Sequence, residues 1–150
     1  MQIRGLNSNE HKTAATLVGL TPLLQRYQFG VEKALRSFSQ LGPKDFIYGA
    51  FEGAELLGFS WIQCESGFGR TPYLKLIVID PRKQRGGVGA KLLEHCEHEH
   101  LAKAGLLLLV SHWNQEAQNF YQKKGYQKVG VLPRYVLPDT DEWIYFKPGA

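Results

Sequence analysis

The run Leu74-Lys75-Leu76-Ile77-Val78-Ile79, closed by Asp80-Pro81 and followed by Gln84-Arg85-Gly86-Gly87-Val88-Gly89-Ala90, constrains the fold of this chain more than any other feature. The first six residues read as a strand, and Asp-Pro after them is a stop signal. The glycines then open a helix predicted over Gly86–Ala104 and ended by Gly105. Val88, Leu92, Leu93 and Cys96 form its buried stripe, with Lys91, Glu94, Glu97 and His98 outside. N–H groups in the first turn of a helix have no internal partner and lie at the positive end of its dipole. Glycine lets a ligand come close to them, so strand, glycine turn and helix make a phosphate cradle. Glycines in such a place equally serve any tight turn.

Two common cradles do not fit. A Walker loop ends in Gly-Lys-Ser/Thr, whereas Gly89 is followed by Ala90-Lys91 with no hydroxyl for magnesium. Glycines at 86, 87 and 89 also miss the G-x-G-x-x-G spacing of a dinucleotide site. Gln84, Gly87 and Gly89 do stand in the fixed places of Q/R-x-x-G-x-G/A. About 30 residues on comes Asn114-Gln115-Glu116-Ala117-Gln118-Asn119-Phe120-Tyr121-Gln122-Lys123-Lys124-Gly125-Tyr126. Here Asn114 reads as an N-cap, Ala117, Phe120, Tyr121 and Lys124 share one helix face, and Gly125 is a stop. Taken together, the two elements resemble the acetyl-CoA signature and the N-x-x-A-x-x-(F/Y)-Y-x-x-x-G-(F/Y) element of the GNAT family of N-acetyltransferases. The likeness runs over residues 45–147.

That resemblance implies an α/β fold of the α+β type, with one mixed, mostly antiparallel, twisted sheet of six to seven strands flanked by about four helices. The residues read the same way, as a single domain over 1–150. Gln2-Ile3-Arg4 is a short strand, and Ser8–Gly19 and Val31–Leu41 are helical, with Thr21-Pro22 and Gly42-Pro43 as breaks. Asp45–Glu52 and Leu56–Glu65 form a hairpin around Gly53-Ala54. Leu106–Val110 is unbroken apolar, as expected of a strand covered on both faces. The Asn114 helix and strands at Tyr126–Val131 and Glu142–Phe146 complete the order.

Composition excludes several function classes. A net charge of +4 without a dense Lys/Arg stripe is too weak for a nucleic-acid footprint. No apolar stretch nears the ~20 residues of a membrane span, and residues 1–20 lack the apolar centre of a signal peptide. Cys64 and Cys96 read as two buried reduced thiols, which fits a cytoplasmic protein. A homodimer stays open.

The resemblance also implies roles. Backbone groups of Ile77, Val78 and Ile79 would stand beside the acetyl group, and Arg85, Gly86, Gly87, Val88, Gly89 and Ala90 would take the pyrophosphate. Asn114 would touch the pantetheine arm of acetyl-CoA, and Tyr121 would lie near the sulfur as general acid; no metal is implied. A phenol of pKa about 10 suits a departing thiolate, and core packing is its other reading. The base that takes the proton of the attacking amine is open among Glu65, His112, Asp80 and Glu142. Leu106–Val110 lacks the glutamate that protein N-terminal acetyltransferases of the family often carry, which argues against a ribosomal-protein substrate.

His95, His98 and His100 beside Cys96 suggest a zinc site at first sight, but three histidines at these spacings cannot all point one way, so the histidines read as a solvated helix face. Trp61, Trp113 and Trp143 read as core or edge packing, and Arg134-Tyr135 as a loop able to meet substrate. Two function classes remain: an enzyme acetylating a small-molecule or peptide amine through a tetrahedral intermediate, or a non-catalytic module binding CoA or acyl-CoA.

Overall fold

Alternating apolar residues on either side of Gly53 fold back on each other, and the hairpin they form anchors the sheet. In the computed structural model, which describes residues 1–84 and 86–149, seven strands are present. They are β1 (Gln2–Gly5), β2 (Asp45–Glu52), β3 (Glu55–Gly67), β4 (Thr71–Ile79), β5 (Leu106–Ser111), β6 (Gln127–Leu132) and β7 (Glu142–Lys147). Their order across the sheet is β1-β2-β3-β4-β5-β7-β6. Only β4 and β5 are paired in parallel. Parallel neighbours need a long crossover, and helix α4 supplies it.

Five α-helices flank the sheet: α1 (His11–Gly19), α2 (Pro22–Arg26), α3 (Val31–Phe38), α4 (Val88–His100) and α5 (Gln115–Lys123). The first three cover one face, where Ala14, Leu17 and Val18 pack with Phe38, Phe59, Trp61 and Val78. The other two cover the opposite face. There the expected stripe Val88, Leu92, Leu93 and Cys96 is buried against Ala50, Ile62, Leu74, Leu106 and Leu108.

Four sequence expectations need correction. Helix α4 starts at Val88, not Gly86, because Gly87 takes the left-handed conformation (φ +68°) that ends the preceding turn and serves as N-cap. It also stops at His100, and residues 101–104 form a turn. Thr21-Pro22 does break the chain after α1, as expected, but it also opens a further helix: Thr21 is the extended N-cap and Pro22 sits at the start, where its missing N–H costs nothing. Cys64 is only half-buried, although both cysteines are free as expected. On β5, Leu106, Leu108 and Val110 are buried, but Leu107 and Leu109 are half-buried, so its second face is incompletely covered.

Two irregularities shape the middle of the sheet. Between β3 and β4 the register runs Trp61↔Leu76 and then Ile62↔Leu74, so Lys75 is an extra, bulged residue. The bulge turns Leu74 and Leu76 to opposite faces: Leu76 joins the α1–α3 core, and Leu74 joins the core under α4 and α5. The parallel ladder between β4 and β5 holds only Tyr73↔Leu107 and Leu74↔Leu108, and ends at the bulge. Past it, the end of β4 and the end of β5 are unpaired with each other.

At the far end of β5 the chain turns tightly. Gly105 has φ +75°, and a Cβ there would meet the Lys147 carbonyl oxygen at 2.5 Å and the Phe146 ring at 2.6 Å. Both strain and overlap oppose a side chain, so Gly105→Ala is expected to cost about 2 kcal/mol or more in denaturant unfolding. A loss below about 0.5 kcal/mol would show that the turn relaxes freely.

Candidate active site

Where β4 and β5 part, the sheet is open from one face to the other. Two cavities meet there. One, of about 420 Å³, lies under α2. The other, of about 590 Å³, lies between the end of β4, the start of α4 and α5. Thr21, Leu23, Ile77, Asn114, Ala117 and Tyr121 line both, so the two adjoin as one passage along the gap between β4 and β5.

The second cavity gathers most of the residues marked out in the sequence: Ile77, Val78, Ile79, Gly89, Asn114 and Tyr121, with Gln84 at its edge. A strand bonded on one side only leaves alternate N–H and C=O groups facing away from that partner. The last residues of β4 are bonded to β3 alone, so part of their backbone faces the opening. In the glycine turn, Gly86 (φ +81°) and Gly87 (φ +68°) have backbones that L side chains rarely adopt, and a Cβ on either would meet nothing within 4 Å among the described residues. The space beside the turn is therefore free for a ligand. Val88 is a core residue, 3% exposed, and offers only its backbone. Ala90 is half-buried and does not line the cavity. Arg85 lies outside the described residues.

Asn114 caps α5, its Oδ1 accepting the Ala117 N–H at 3.1 Å. Tyr121 is half-buried between Phe120 and Tyr126, edge to face with each (centroids 5.0 and 5.6 Å). Burial first, then proximity to Cys96 and Tyr73, raises its pKa above that of an ordinary phenol. The hydroxyl stays protonated at neutral pH.

Of the four base candidates, one lines the passage. Glu142, at the start of β7, is 5% exposed and faces the first cavity beside Tyr27, Tyr73 and Ser111. Tyr27 donates a hydrogen bond to its carboxylate and lies 2.5 Å from Ser111 Oγ. Burial raises the Glu142 pKa, and the Tyr27 hydrogen bond opposes only part of that. Burial also pushes Tyr27 and Tyr73 up to about 12, with the nearby Glu142 charge adding to each. The remaining candidates are engaged elsewhere. Glu65 pairs with Lys44 at the surface. Asp80 accepts the Arg82 N–H and guanidinium, as a turn cap. His112 Nδ1 accepts the Asp141 N–H at 3.0 Å, and His112 lines neither cavity.

The secondary readings divide. Trp61 is core, as expected, but Trp113 lines the second cavity, with the Arg26 guanidinium 3.9 Å above its ring. His98 is solvated, whereas His95 and His100 are half-buried against Tyr48, which bonds His100 Nε2 at 2.7 Å. No group of three or more His, Cys, Asp or Glu suited to a metal occurs among the described residues. Arg134 and Tyr135 line neither cavity; their neighbour Val136 does. The sequence reading missed Tyr27, Tyr73, Ser111 and Leu23. Pro22 behind Thr21, a helix-start pattern, was the available signal for the Leu23–Tyr27 segment.

Comparison with known proteins bears on this geometry. No curated protein matches the sequence. Several solved structures share the fold. The ribosomal-protein-S18-alanine N-acetyltransferase from Escherichia coli superposes with TM-score 0.82 at 22% identity, over 98% of this chain and 92% of that one. An acetyltransferase from Thermus thermophilus gives 0.79 at 18%, over 98% and 96%. An aminoglycoside 6'-N-acetyltransferase solved with coenzyme A gives 0.78 at 20%, over 99% and 97%. Independently of these likenesses in fold, the model of the acetyltransferase (GNAT) domain matches residues 43–128, from the start of the β2–β3 hairpin through the glycine turn and α5. On that match the chain belongs to the GNAT family of acetyltransferases.

Proposed function

We propose that this acetyltransferase moves the acetyl group of acetyl-CoA onto a primary amine of a small molecule or peptide by direct attack. The observation that carries the reading is the passage itself: Tyr121, Ile77 and Asn114 stand where the two cavities meet. The larger cavity takes the thioester arm, with the pyrophosphate at the glycine turn and the start of α4. The smaller takes the amine.

Acetyl-CoA supplies an activated acyl carbon; the chain's residues do the rest. Unpaired backbone groups of Ile77, Val78 and Ile79 are fixed before the reaction, so N–H donors among them stabilise the oxyanion of the tetrahedral intermediate without reorganising. Glu142 takes a proton from the substrate ammonium and so frees the neutral amine to attack, and its raised pKa brings it nearer the working pH of a general base. Tyr121 gives its proton to the sulfur as the carbon–sulfur bond breaks. Asn114 holds the pantetheine arm through the amide nitrogen that capping leaves free. The two free cysteines support a cytoplasmic setting. Among the described residues no helix is long and apolar enough to cross a membrane.

Two measurements test this. A screen of primary amines with acetyl-CoA, read as free thiol, should give amine-dependent release; tight acetyl-CoA binding with no release for any amine would overturn the transferase reading. For the cradle, Gly89 is the cleaner probe, since a Cβ there meets only ordinary contacts at 3.9 Å with Ile79 and Phe120. Gly89→Leu is expected to weaken acetyl-CoA binding at least tenfold, about 1.4 kcal/mol, by calorimetry on a variant with unchanged circular dichroism. Unchanged affinity would move the phosphates elsewhere.

A further inference from the structure

We infer that the acceptor is a small amine carrying one positive charge and an apolar or aromatic body. The inference rests on the transferase reading and narrows its substrate class. Glu142 is the only acidic residue among the described residues lining the smaller cavity, and Lys75 the only basic one. Lys75 is exposed and holds its ammonium 4.2 Å from the Trp61 ring centroid, so it offers little to an anionic substrate. The rest of the wall carries no charge and is mostly apolar or aromatic, including Leu23, Phe29, Tyr73, Leu109 and Val136, with Thr21, Ser111 and Asn114 as its polar members.

One ammonium therefore finds one buried carboxylate. A second charge on the acceptor would meet an apolar wall without a partner, which is costly. A free carboxylate beside the amine would face Glu142 itself. Volume agrees: about 420 Å³ lies low in the ~300–1,000 Å³ range of small-molecule pockets. That suits a single ring or one chain-terminal side chain, not a multi-ring polyamine. The mouth fits the same class. Tyr135 and Val136 are 62% and 57% exposed, an apolar pair on the loop after β6, and Val136 continues the wall outward. Exposed apolar residues at the rim of a cavity are what an apolar ligand covers.

The test compares phenethylamine, propylamine, spermidine and phenylalanine on the wild type and on Val136→Asp. Phenethylamine should show a kcat/KM about ten- to a hundredfold above propylamine, the span expected for burying one aromatic group, and at least about tenfold above spermidine and phenylalanine, whose extra charges the wall does not match. Val136→Asp should shrink the advantage over spermidine by about tenfold while acetyl-CoA affinity holds. Spermidine or phenylalanine as the best substrate, or phenethylamine no better than propylamine, would overturn the class and leave acetyl transfer standing. Should no amine release thiol, the transferase reading fails, and amine binding to CoA-loaded protein decides the class alone. Phenethylamine bound at least tenfold tighter than propylamine and spermidine supports it; equal binding overturns it.

Discussion

Tyr121→Phe is expected to lower kcat by about 10²–10⁴-fold while acetyl-CoA affinity stays within about twofold, the signature of a lost general acid. The substitution keeps the ring between Phe120 and Tyr126 and removes only the oxygen, so stability should change little. The pH profile adds a second reading. Burial holds the wild-type hydroxyl above the usual value of about 10, so it remains a donor across the neutral range. Any alkaline fall in wild-type kcat caused by its titration should be absent from the Phe variant. Equal kcat in the two proteins would make Tyr121 a packing residue.

Glu142→Gln carries the second large effect. With the base gone, kcat/KM should fall by about 10²–10⁴-fold. In the wild type, activity should decline toward acid with a midpoint above the ordinary carboxylate value near 4.3, because burial raises the Glu142 pKa. That limb should vanish in the variant. Stability should move the opposite way. A folded pKa above the unfolded one means the native state holds the proton more tightly, so Glu142's contribution is full below the unfolded value and is lost as pH rises through the folded one. Glu142→Gln keeps an acceptor for Tyr27 without the charge, so its Tm should gain on wild type as pH rises past the ordinary carboxylate value near 4.3. An unchanged rate with an unchanged acid limb would remove Glu142 from the chemistry.

These positions were not equally visible from the sequence. Local signals carried the glycine turn, the buried stripe of α4 and the Asn114 cap, because each depends on neighbours within a few residues. The strands of the β2–β3 hairpin were legible from alternation around Gly53. Helix α2 was lost for the same local reason: its five residues are too few for periodicity, and proline reads as a break as readily as a start. The site's acceptor side was beyond local reasoning. Tyr27 and Glu142 are 115 positions apart, and nothing near either marks them as partners. Glu142 entered as one candidate among four, and only its place beside the passage separates it from Glu65, His112 and Asp80. His95 and His100 show the reverse error: a helix face that looks solvated in sequence is covered by Tyr48 from the sheet.

The two rungs between β4 and β5 have a consequence for mechanics. In the backbone ladder, β1–β4 form one wing and β5–β7 the other, and Tyr73↔Leu107 with Leu74↔Leu108 are the only rungs between them. Besides the connecting chain, the wings are joined mainly by side-chain packing, much of it through α4 and α5, and by side-chain hydrogen bonds such as Thr71 to the Ala104 carbonyl. The molecule is built like a partly opened zip, stopped by the one extra residue Lys75. A ligand lying in the gap and bonding to β4 on one side and α5 on the other would stitch the wings where the backbone does not. Those amides at the end of β4 that face the gap should then exchange with solvent freely without ligand and slow sharply when acetyl-CoA is added. The short ladder leaves the sheet low in backbone cohesion at its midline, and a ligand bonded across the gap adds to it.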